Sequence, residues 1–389
     1  MAVSFENTEV AFSHKTNHEL KRAYWLFRLV GNPGLVKLGK VSVNVALQLR
    51  LPIGWALRKN IFAQFCGGET IAECSQTTKV LDSRGVGTIL DYSVEGKESE
   101  AEFDHTADEI HQTILTAKGN KHIPFCVFKV TGIARHGLLE KINAHQALTA
   151  QESQEFDRVK ARVDRLCKAA FEANTPVFID AEESWIQDTI DSLVEEMMLK
   201  YNGQRAIVYN TAQMYRHDRL EYLKKALHRA EQGGYHYGVK LVRGAYMEKE
   251  RERAQRLGYT DPIQPDKPST DRDFDAAVEF CLSNINRMGV CAGTHNETSS
   301  AKLADLLAAK GIAKNDDRVY AAQLYGMSDH ISFNLSHEGY NVAKYVPYGP
   351  IREVIPYLIR RAEENTSVSG QTGRELGLIM KELKRRKLG

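Results

Sequence analysis

The chain has 389 residues, of which 42% are hydrophobic and 26% charged, and its formal net charge is +2. This composition supports a substantial buried core, and its near-neutral balance does not indicate a nucleic-acid-binding protein. The six cysteines are scattered without a Cys-x-x-Cys pair, so neither a zinc site nor a disulfide framework is indicated, and reduced thiols in a cytosol-like compartment are the default.

The first part of the chain predicts a helical extension over residues 1–80, because only helical periodicity is visible there. Its N-terminal residues lack the pattern of a secretory signal, and no apolar run in the chain is long enough to span a membrane. The most apolar stretch, residues 41–57, is interrupted by polar residues such as Asn44 and Arg50. That pattern favours a helix packed on the main domain over a helix on a membrane surface.

Short runs of β-branched and aromatic residues follow from residue 86 onward, alternating with longer segments of helical periodicity. The predicted strands are Val86–Tyr92, Ile123–Thr131, Pro176–Ala181, Ala206–Gln213, Gly238–Ala245, Val290–His295, Val319–Leu324 and Ala343–Pro347. Strands that alternate with helices indicate parallel pairing through crossover helices, and eight such units close an α/β barrel of the (β/α)8 TIM type. A doubly wound open sheet is the alternative, because periodicity does not report closure.

The segments between the strands predict the crossover helices of this barrel. They include Glu152–Ala173, Ser184–Lys200, Asp218–Gln232, Asp273–Met288 and Thr298–Lys310. The proline-rich stretch 261–268 predicts an exposed excursion before the sixth strand. We expect the domains to be a helical extension at 1–80, the barrel at 81–370 and a basic C-terminal helix or tail at 371–389. The basic run at 381–387 is typical of a solvated end, with attraction to anionic lipid as the alternative.

Polar residues at the carboxyl ends of the predicted strands are the first candidates for a site, since barrel enzymes place their chemistry there. These residues are Lys129, Asp180, Gln213, Lys240, Arg243, Thr294, His295 and Tyr345. Several cations around one acid suit an anionic cofactor and a zwitterionic substrate.

A second candidate is the helical segment after the last strand, where Tyr357, Arg360, Arg361 and Glu364 share one helix face. Two neighbouring guanidiniums present fixed forks of donors that match a carboxylate. The alternative is a solvated helix on which Arg360 bonds to Glu364.

Several ordered motifs resemble the proline dehydrogenase family over most of the chain. They are Phe-Cys-Val-Phe-Lys129, Ile-Asp180-Ala-Glu-Glu, Val-Lys240-Leu-Val-Arg243-Gly-Ala-Tyr246, Gly-Thr294-His295-Asn, Gln323-Leu-Tyr-Gly-Met, Tyr345-Val-Pro-Tyr-Gly-Pro and Tyr357-Leu-Ile-Arg360-Arg361-Ala-Glu-Glu-Asn365. The segment Gln64-Phe-Cys-Gly-Gly-Glu69 looks like that of mitochondrial and monofunctional bacterial members.

The resemblance implies a distorted (β/α)8 barrel that binds FAD non-covalently and oxidises L-proline to Δ1-pyrroline-5-carboxylate, passing electrons to a membrane quinone. It also implies a monofunctional enzyme, without the aldehyde-dehydrogenase half of bifunctional relatives, whose product goes to a separate pyrroline-5-carboxylate dehydrogenase. We expect a cytoplasmic location with peripheral contact at the inner face of an energy-transducing membrane, or at the mitochondrial inner membrane in a eukaryote.

Carried over by position, the resemblance assigns a role to each candidate residue. The substrate-binding residues are Lys129, Asp180, Tyr246, Leu324, Tyr345, Tyr357, Arg360 and Arg361; the cofactor-binding residues are Gln213, Lys240, Arg243, Gly244, Ala245, Thr294 and His295. Asp180 and Lys240 are the catalytic candidates, and no metal ligand is predicted. Many bacterial members carry Arg where this chain has Lys240, and Lys supplies the charge there without the planar fork.

Other functions remain open at this point. A Schiff-base aldolase on the same barrel would use Lys129 or Lys240 as its nucleophile. A metal-dependent hydrolase is disfavoured because the sequence has no His-Glu-x-x-His motif, and a non-catalytic scaffold is a third class. Within the family the alternative substrate is trans-4-hydroxy-L-proline, against which Tyr345 argues, because hydroxyproline-type relatives carry a smaller residue there.

Overall fold

The computed structural model describes residues 3–32, 34, 37, 39, 57–94, 96–367 and 371–388. The apolar stretch at 41–56 lies outside the described residues. Two compact units divide the chain: one combines Val3–Glu95 with Gln323–Gly389, and the other is the continuous segment Gly96–Ala322. The predicted domain bounds at 1–80, 81–370 and 371–389 stay a prediction. In the described part of the chain, no helix has the length and apolar character needed to cross a bilayer.

Eight strands form a closed barrel in chain order, and the strand pairs with a described register are parallel. The strands are β1 (Val86–Tyr92), β2 (Phe125–Lys129), β3 (Val177–Asp180), β4 (Val208–Gln213), β5 (Tyr237–Val242), β6 (Met288–Gly293), β7 (Val319–Leu324) and β8 (Val342–Tyr348). The predicted (β/α)8 barrel is therefore confirmed, and the open sheet is wrong.

Helices occupy most of the remaining described residues. In chain order they are α1 (Thr8–Ala11), α2 (Asn17–Val30), α3 (Ala63–Phe65, continuing a π-helical turn at Arg58–Phe62), α4 (Ile71–Asp82), α5 (Glu100–Ala117), α6 (His136–Asn143), α7 (Ala150–Ala173), α8 (Ser184–Tyr201), α9 (Arg219–Gly233), α10 (Met247–Leu257), α11 (Lys267–Ser283), α12 (Glu297–Ala309), α13 (Asp329–His337), α14 (Ile351–Ser367) and α15 (Gln371–Arg385). A 3₁₀ turn at Val130–Gly132 follows β2 directly.

The prediction for α11 was wrong at both ends. The helix begins at Lys267 rather than Asp273, because the side chain of Asp266 accepts a hydrogen bond of 2.8 Å from the backbone N–H of Ser269 and caps the N-terminus. Pro268 lies in the first turn, where a missing N–H costs nothing. The stretch 261–268, predicted to be an exposed excursion, therefore includes the first two residues of α11. Gln264 within this stretch is buried rather than exposed.

An aromatic layer fills the barrel interior within the unit 96–322. The ring centroids of Phe125 and Phe178 lie 4.3 Å apart, and Phe125 meets Tyr320 at 4.9 Å. Because β2 and β7 are not neighbours, that second contact spans the interior. Tyr209 packs edge-on against both phenylalanines. Gly289 makes room for it, since a Cβ there would lie 2.2 Å from the tyrosine hydroxyl oxygen.

A buried charge cluster stabilises the other unit around α13. The carboxylate of Asp329 pairs with the fully buried Lys344 of β8 at 2.9 Å, with Lys15 at 3.2 Å and with His14 at 3.3 Å. Burial alone would raise the pKa of Asp329, but Lys15 and Lys344 outweigh it and hold the pKa well below its usual range. The N-terminal segment before α2 is therefore tied to α13 and β8.

Candidate functional site

A cation–carboxylate cluster lies at the carboxyl ends of β2, β3 and β5. Lys240 Nζ donates to Asp180 Oδ1, and Lys129 Nζ lies 3.9 Å from Asp180 Oδ2. Asp180 follows Phe178 by two residues and so points to the same face of β3, toward the barrel interior. Lys240 Nζ also lies 5.1 Å from the centroid of the Phe178 ring. The charged cluster thus sits one layer above the aromatic interior, toward the carboxyl ends of the strands.

The charged side chains of Asp180 and Lys240 are both buried. Asp180 is 8% exposed and Lys240 is 6% exposed, so both charges have left most of their water. A buried pair of this kind is costly to break, because removing one partner takes away a charge that compensates the other. The sequence predicted both residues for the site, but it did not predict that they bond to each other.

The end of β4 and the segment after β5 are joined by Gln213. Its Nε2 donates to the backbone oxygen of Glu182 at 2.7 Å, and its Oε1 accepts from the backbone N–H of Ala245 at 3.3 Å. Gly244 adopts a φ of +139°, and a Cβ there would lie 2.6 Å from the ring of Tyr215. Only glycine fits that position, and residues 244 and 245 are exposed to solvent.

Arg243 is fixed by the elements that follow it. Its Nε donates to Asp271 at 2.7 Å, and its two terminal nitrogens donate to Thr294 Oγ1 at 2.5 Å and to Ser299 Oγ at 2.9 Å. A guanidinium has five N–H groups, so this anchoring leaves donors for an anionic ligand. His295 is half-buried beside Thr294.

Tyr246 is half-buried and immediately precedes α10. Lys249 Nζ lies 6.0 Å from the centroid of its ring. The tyrosine therefore belongs to the loop that follows β5, as the sequence predicted.

Glu182 is a residue that sequence reasoning did not select. Its carboxylate accepts from the backbone N–H of Thr131 at 3.0 Å and from the Thr131 hydroxyl. Burial raises the pKa of Glu182 to about 7, against the effect of those two bonds. The neighbouring Glu183 is also buried, yet its partners His136 and Lys249 hold its pKa at about 2. The sequence feature that could have identified Glu182 is the pair of adjacent acidic residues, Glu182 and Glu183, just after Asp180 at the end of β3.

The remaining predicted substrate residues belong to the other unit. Tyr345 is buried on β8. Its backbone oxygen accepts a hydrogen bond of 2.9 Å from the N–H of Tyr325. Because Tyr325 directly follows Leu324, this bond joins the end of β7 to β8. On α14, Tyr357 and Arg361 are buried, and the guanidinium carbon of Arg361 lies 5.1 Å from the Tyr357 ring centroid.

Arg360 is half-buried on the same helix. The Glu364 side chain, its alternative partner in the sequence, lies outside the described residues. The predicted residues therefore form two groups, one in each unit: Lys129, Asp180, Gln213, Lys240, Arg243, Gly244, Ala245, Tyr246, Thr294 and His295 in one; Leu324, Tyr345, Tyr357, Arg360 and Arg361 in the other.

The closed (β/α)8 barrel has a buried carboxylate, two lysines and a fixed arginine at the carboxyl ends of its strands, where barrel enzymes place their active sites. Residues 74–374 match the family model described as proline dehydrogenase. The chain therefore belongs to the proline dehydrogenase family, a family of oxidoreductases, and the resemblance found in the sequence is confirmed.

Curated relatives agree with that family assignment, and a solved structure agrees with the fold. The chain is 33% identical over 384 residues to "Proline dehydrogenase 1, mitochondrial" of Dictyostelium discoideum, with 87% of this chain and 67% of the relative covered. It is 30% identical over 423 residues to "Hydroxyproline dehydrogenase" of Xenopus laevis, covering 99% and 90% of the two chains. In fold it resembles proline utilization A from Bdellovibrio bacteriovorus, with a TM-score of 0.72 at 18% identity; 94% of this chain matches only 37% of that longer chain.

Proposed function

We propose that the protein oxidises L-proline to Δ1-pyrroline-5-carboxylate by hydride transfer to FAD, the first step of proline catabolism to glutamate. The observation that carries this proposal is the face of α14, where buried Arg361 stacks on Tyr357 beside Arg360. Paired guanidiniums bind a carboxylate through two forks of donors, and an aromatic ring beside them suits an apolar five-membered ring. An amino acid with a small apolar ring matches both.

The residues at the ends of β4, β5 and β6 fit a flavin nucleotide. Arg243 and Lys240 provide positive charge, Gln213 provides an amide, and Gly244 gives an exposed backbone segment without a Cβ. We propose that Gln213, Lys240, Arg243, Gly244, Ala245, Thr294 and His295 hold FAD. The bound flavin would supply the hydride acceptor.

The chain's own residues then bind and orient the substrate. In the unit that contains α14, Arg360 and Arg361 would fix the carboxylate, while Leu324, Tyr345 and Tyr357 would contact the ring. In the unit 96–322, Lys129 and Tyr246 stay predicted substrate residues. Holding the reacting carbon in one orientation removes much of the entropic barrier. Lys240 would stabilise negative charge that develops during hydride transfer, and its bond to Asp180 keeps the ammonium group in place. The substrate amine must lose its proton before hydride leaves, and Lys129, Asp180 and direct release to water remain the candidates for that step.

The test is an absorption spectrum of the purified protein before and after anaerobic addition of L-proline. We expect an oxidised flavin spectrum that is bleached by a near-stoichiometric amount of L-proline. A colourless protein that reduction with borohydride traps covalently on its substrate would instead support the Schiff-base aldolase.

We further propose that the electrons pass to a membrane quinone and that the product goes to a separate pyrroline-5-carboxylate dehydrogenase. The mitochondrial names of several relatives support contact with an energy-transducing membrane. The basic C-terminal run, which the sequence predicted to be a solvated end with attraction to anionic lipid as the alternative, has acidic partners for three of its cations. Lys381 binds Glu6, while Arg385 and Arg386 bind Glu382 within the same helix end. Oxidation of proline coupled to a soluble quinone analogue would test the acceptor.

Hydroxyproline is the alternative substrate, and the similarity to the Xenopus laevis hydroxyproline dehydrogenase is the observation that supports it. Tyr345 should decide between the two, because its ring would crowd a substituent at C4 of the substrate. Replacing Tyr345 with Ser should cost about 1–3 kcal/mol in kcat/KM for L-proline through lost ring contact. The same change should remove the clash with trans-4-hydroxy-L-proline, with only a modest absolute gain because no new hydroxyl partner is created.

The measurement is kcat/KM for both substrates in the parent and in Tyr345→Ser, with Tyr345→Phe as the matched control that keeps the ring. We expect the ratio of kcat/KM for L-proline to kcat/KM for trans-4-hydroxy-L-proline to fall in the serine variant and to stay near the parent's value in the phenylalanine variant. A ratio that stays constant or widens in Tyr345→Ser would show that Tyr345 does not control access at C4.

A further inference from the structure

The segment Gln64–Glu69 contacts three parts of its unit that carry predicted substrate residues: the turn after β7, the end of β8 and the start of α14. We propose that Glu69 is a positioning residue that sets the orientation of α14, and through it the carboxylate-binding arginines, with Gln64 fixing the adjacent turn. This inference rests on the proposed function, since it assigns Arg360 and Arg361 to the substrate carboxylate. Glu69 itself need not touch the substrate.

The first step is the attachment of the segment to β8. The backbone N–H of Gly67 donates to the oxygen of Pro347 at 2.9 Å, and the N–H of Gly349 donates to the oxygen of Gly68 at 3.2 Å. Gly68 forms a parallel bridge with Tyr348 between these two bonds. The segment therefore continues the hydrogen bonding of β8 at the strand end that leads directly into α14.

This close approach requires glycine. A Cβ on Gly67 would lie 2.6 Å from Cγ1 of Val346, and a Cβ on Gly68 would lie 2.6 Å from Cβ of Glu73. A methyl group on Gly67 would push the segment away from β8, and one on Gly68 would collide with the first turn of α4. The two glycines thus bring Glu69 within reach of the next element.

Glu69 caps α14 from outside the helix. Its Oε2 accepts from the backbone N–H of Ile351, the first residue of α14, at 3.2 Å. The first N–H groups of a helix have no partner inside it, and a negative charge there is favourable to the helix dipole. The other carboxylate oxygen, Oε1, pairs with Arg58 at 3.0 Å, and Arg58 is in turn bonded to Glu73 at 2.9 Å. The cap is therefore held at a fixed position relative to α3 and α4.

Gln64 makes the corresponding contact with the turn after β7. Its buried side chain donates through Nε2 to the oxygen of Gly326 at 2.8 Å. Gly326 has a φ of +76°, and a Cβ there would lie only 1.9 Å from the backbone oxygen of Gln64. The turn begins just after Leu324, so the same segment that caps α14 also fixes a residue predicted to enclose the substrate ring.

The geometry of α14 explains why its start matters for the arginines. Arg360 lies nine residues after Ile351, which corresponds to about 14 Å along a helix. A tilt of about 5° at the capped end would therefore move Arg360 by about 1 Å, an error that can cost on the order of 100-fold in an enzyme. Loss of the cap should weaken carboxylate binding without changing the hydride-transfer chemistry.

The experiment uses the flavin-loaded full chain and compares Glu69→Ala, which removes the acceptor, with Glu69→Gln, which keeps an oxygen facing Ile351 N–H but loses the charge. We expect Glu69→Ala to raise the KM for L-proline about tenfold with kcat within about twofold of the parent, and Glu69→Gln to restore most of the loss. Arg58→Met is the control that removes the ion pair and leaves the cap, and it should have a smaller effect than Glu69→Ala.

A double-mutant cycle with Arg361→Met distinguishes positioning from general destabilisation. If Glu69 acts through the arginines, adding Glu69→Ala to Arg361→Met should cost much less than it costs in the parent. Losses that multiply, a fall in kcat equal to the rise in KM, or an unchanged KM would each overturn the inference. If the alanine variant does not fold, Glu69→Asp, whose side chain is one methylene shorter, replaces it in the double-mutant cycle. A parent whose flavin is not reduced by L-proline would refute the proposed function instead.

Discussion

Replacing Lys240 with Met should lower the free energy of unfolding by about 3–5 kcal/mol, because the buried carboxylate of Asp180 would lose the ammonium group that donates to its Oδ1. The same variant should be reduced by L-proline more slowly, since it lacks the positive charge that would stabilise the reduced flavin. The measurements are urea unfolding at saturating FAD, the rate of anaerobic flavin reduction and the reduction potential.

Two further variants separate the effect on the free energy of unfolding from the effect on flavin reduction. The double variant Asp180→Asn, Lys240→Met removes both charges of the buried pair, so it should recover much of the stability while flavin reduction stays slow. Lys168→Met, which removes one partner of an exposed pair with Glu172, should cost about 1 kcal/mol or less. If the single variant Lys240→Met has the parent's reduction potential, Lys240 does not lie at the flavin.

Replacing Arg360 or Arg361 with Met should each raise the KM for L-proline about 10- to 150-fold, because a charged hydrogen bond of this kind contributes roughly 1.5–3 kcal/mol. Arg361 should show the larger effect. It is buried and stacks on Tyr357, so its removal also loosens the ring contact. Steady-state kinetics with L-proline, together with the flavin content of each variant, provide the measurement.

Arg352→Met is the matched control, since Arg352 lies on the same helix but is exposed to solvent. It should leave KM, kcat and flavin content unchanged. Arg361→Lys should recover only part of the loss, because an ammonium group cannot form the planar fork. Unchanged saturation kinetics in both methionine variants would exclude the carboxylate-binding role.

The barrel could be predicted because each strand carries its own signal. The runs at β1 and β7 have the predicted bounds, since both are short, contain β-branched and aromatic residues, and are followed within two residues by Ser93 and Gly326, respectively. The start of α11 was missed although its signal is local: an Asp cap followed by Pro within the first turn. That error came from treating proline as a loop marker, whereas proline is well tolerated where a helix begins.

The contacts within the site could not be predicted in the same way. The bond between Lys240 and Asp180 joins residues 60 positions apart, and it depends on the relative stagger of β3, β4 and β5, which periodicity does not reveal. The cap that Glu69 places on α14 joins residues 282 positions apart. Sequence patterns identify which residues have the right chemistry, but pairing across such distances is decided by how the strands close into a barrel.

The contacts between the α1 region and α15 within one unit have a consequence for the synthesis of the protein. Lys381 Nζ donates to the backbone oxygen of Glu6, 375 residues earlier, and Arg386 donates to that of Phe12, 374 residues earlier. At about 5–20 residues per second, a ribosome needs roughly 20–75 s to deliver α15 after α1 has been made. Until then, Phe12 and Phe27, which are buried in the finished protein, have no C-terminal helix to cover them. The segment 96–322 is complete before α15 is made, so the nascent chain carries its N-terminal helices as an uncovered apolar surface. We expect chaperones to bind at that surface.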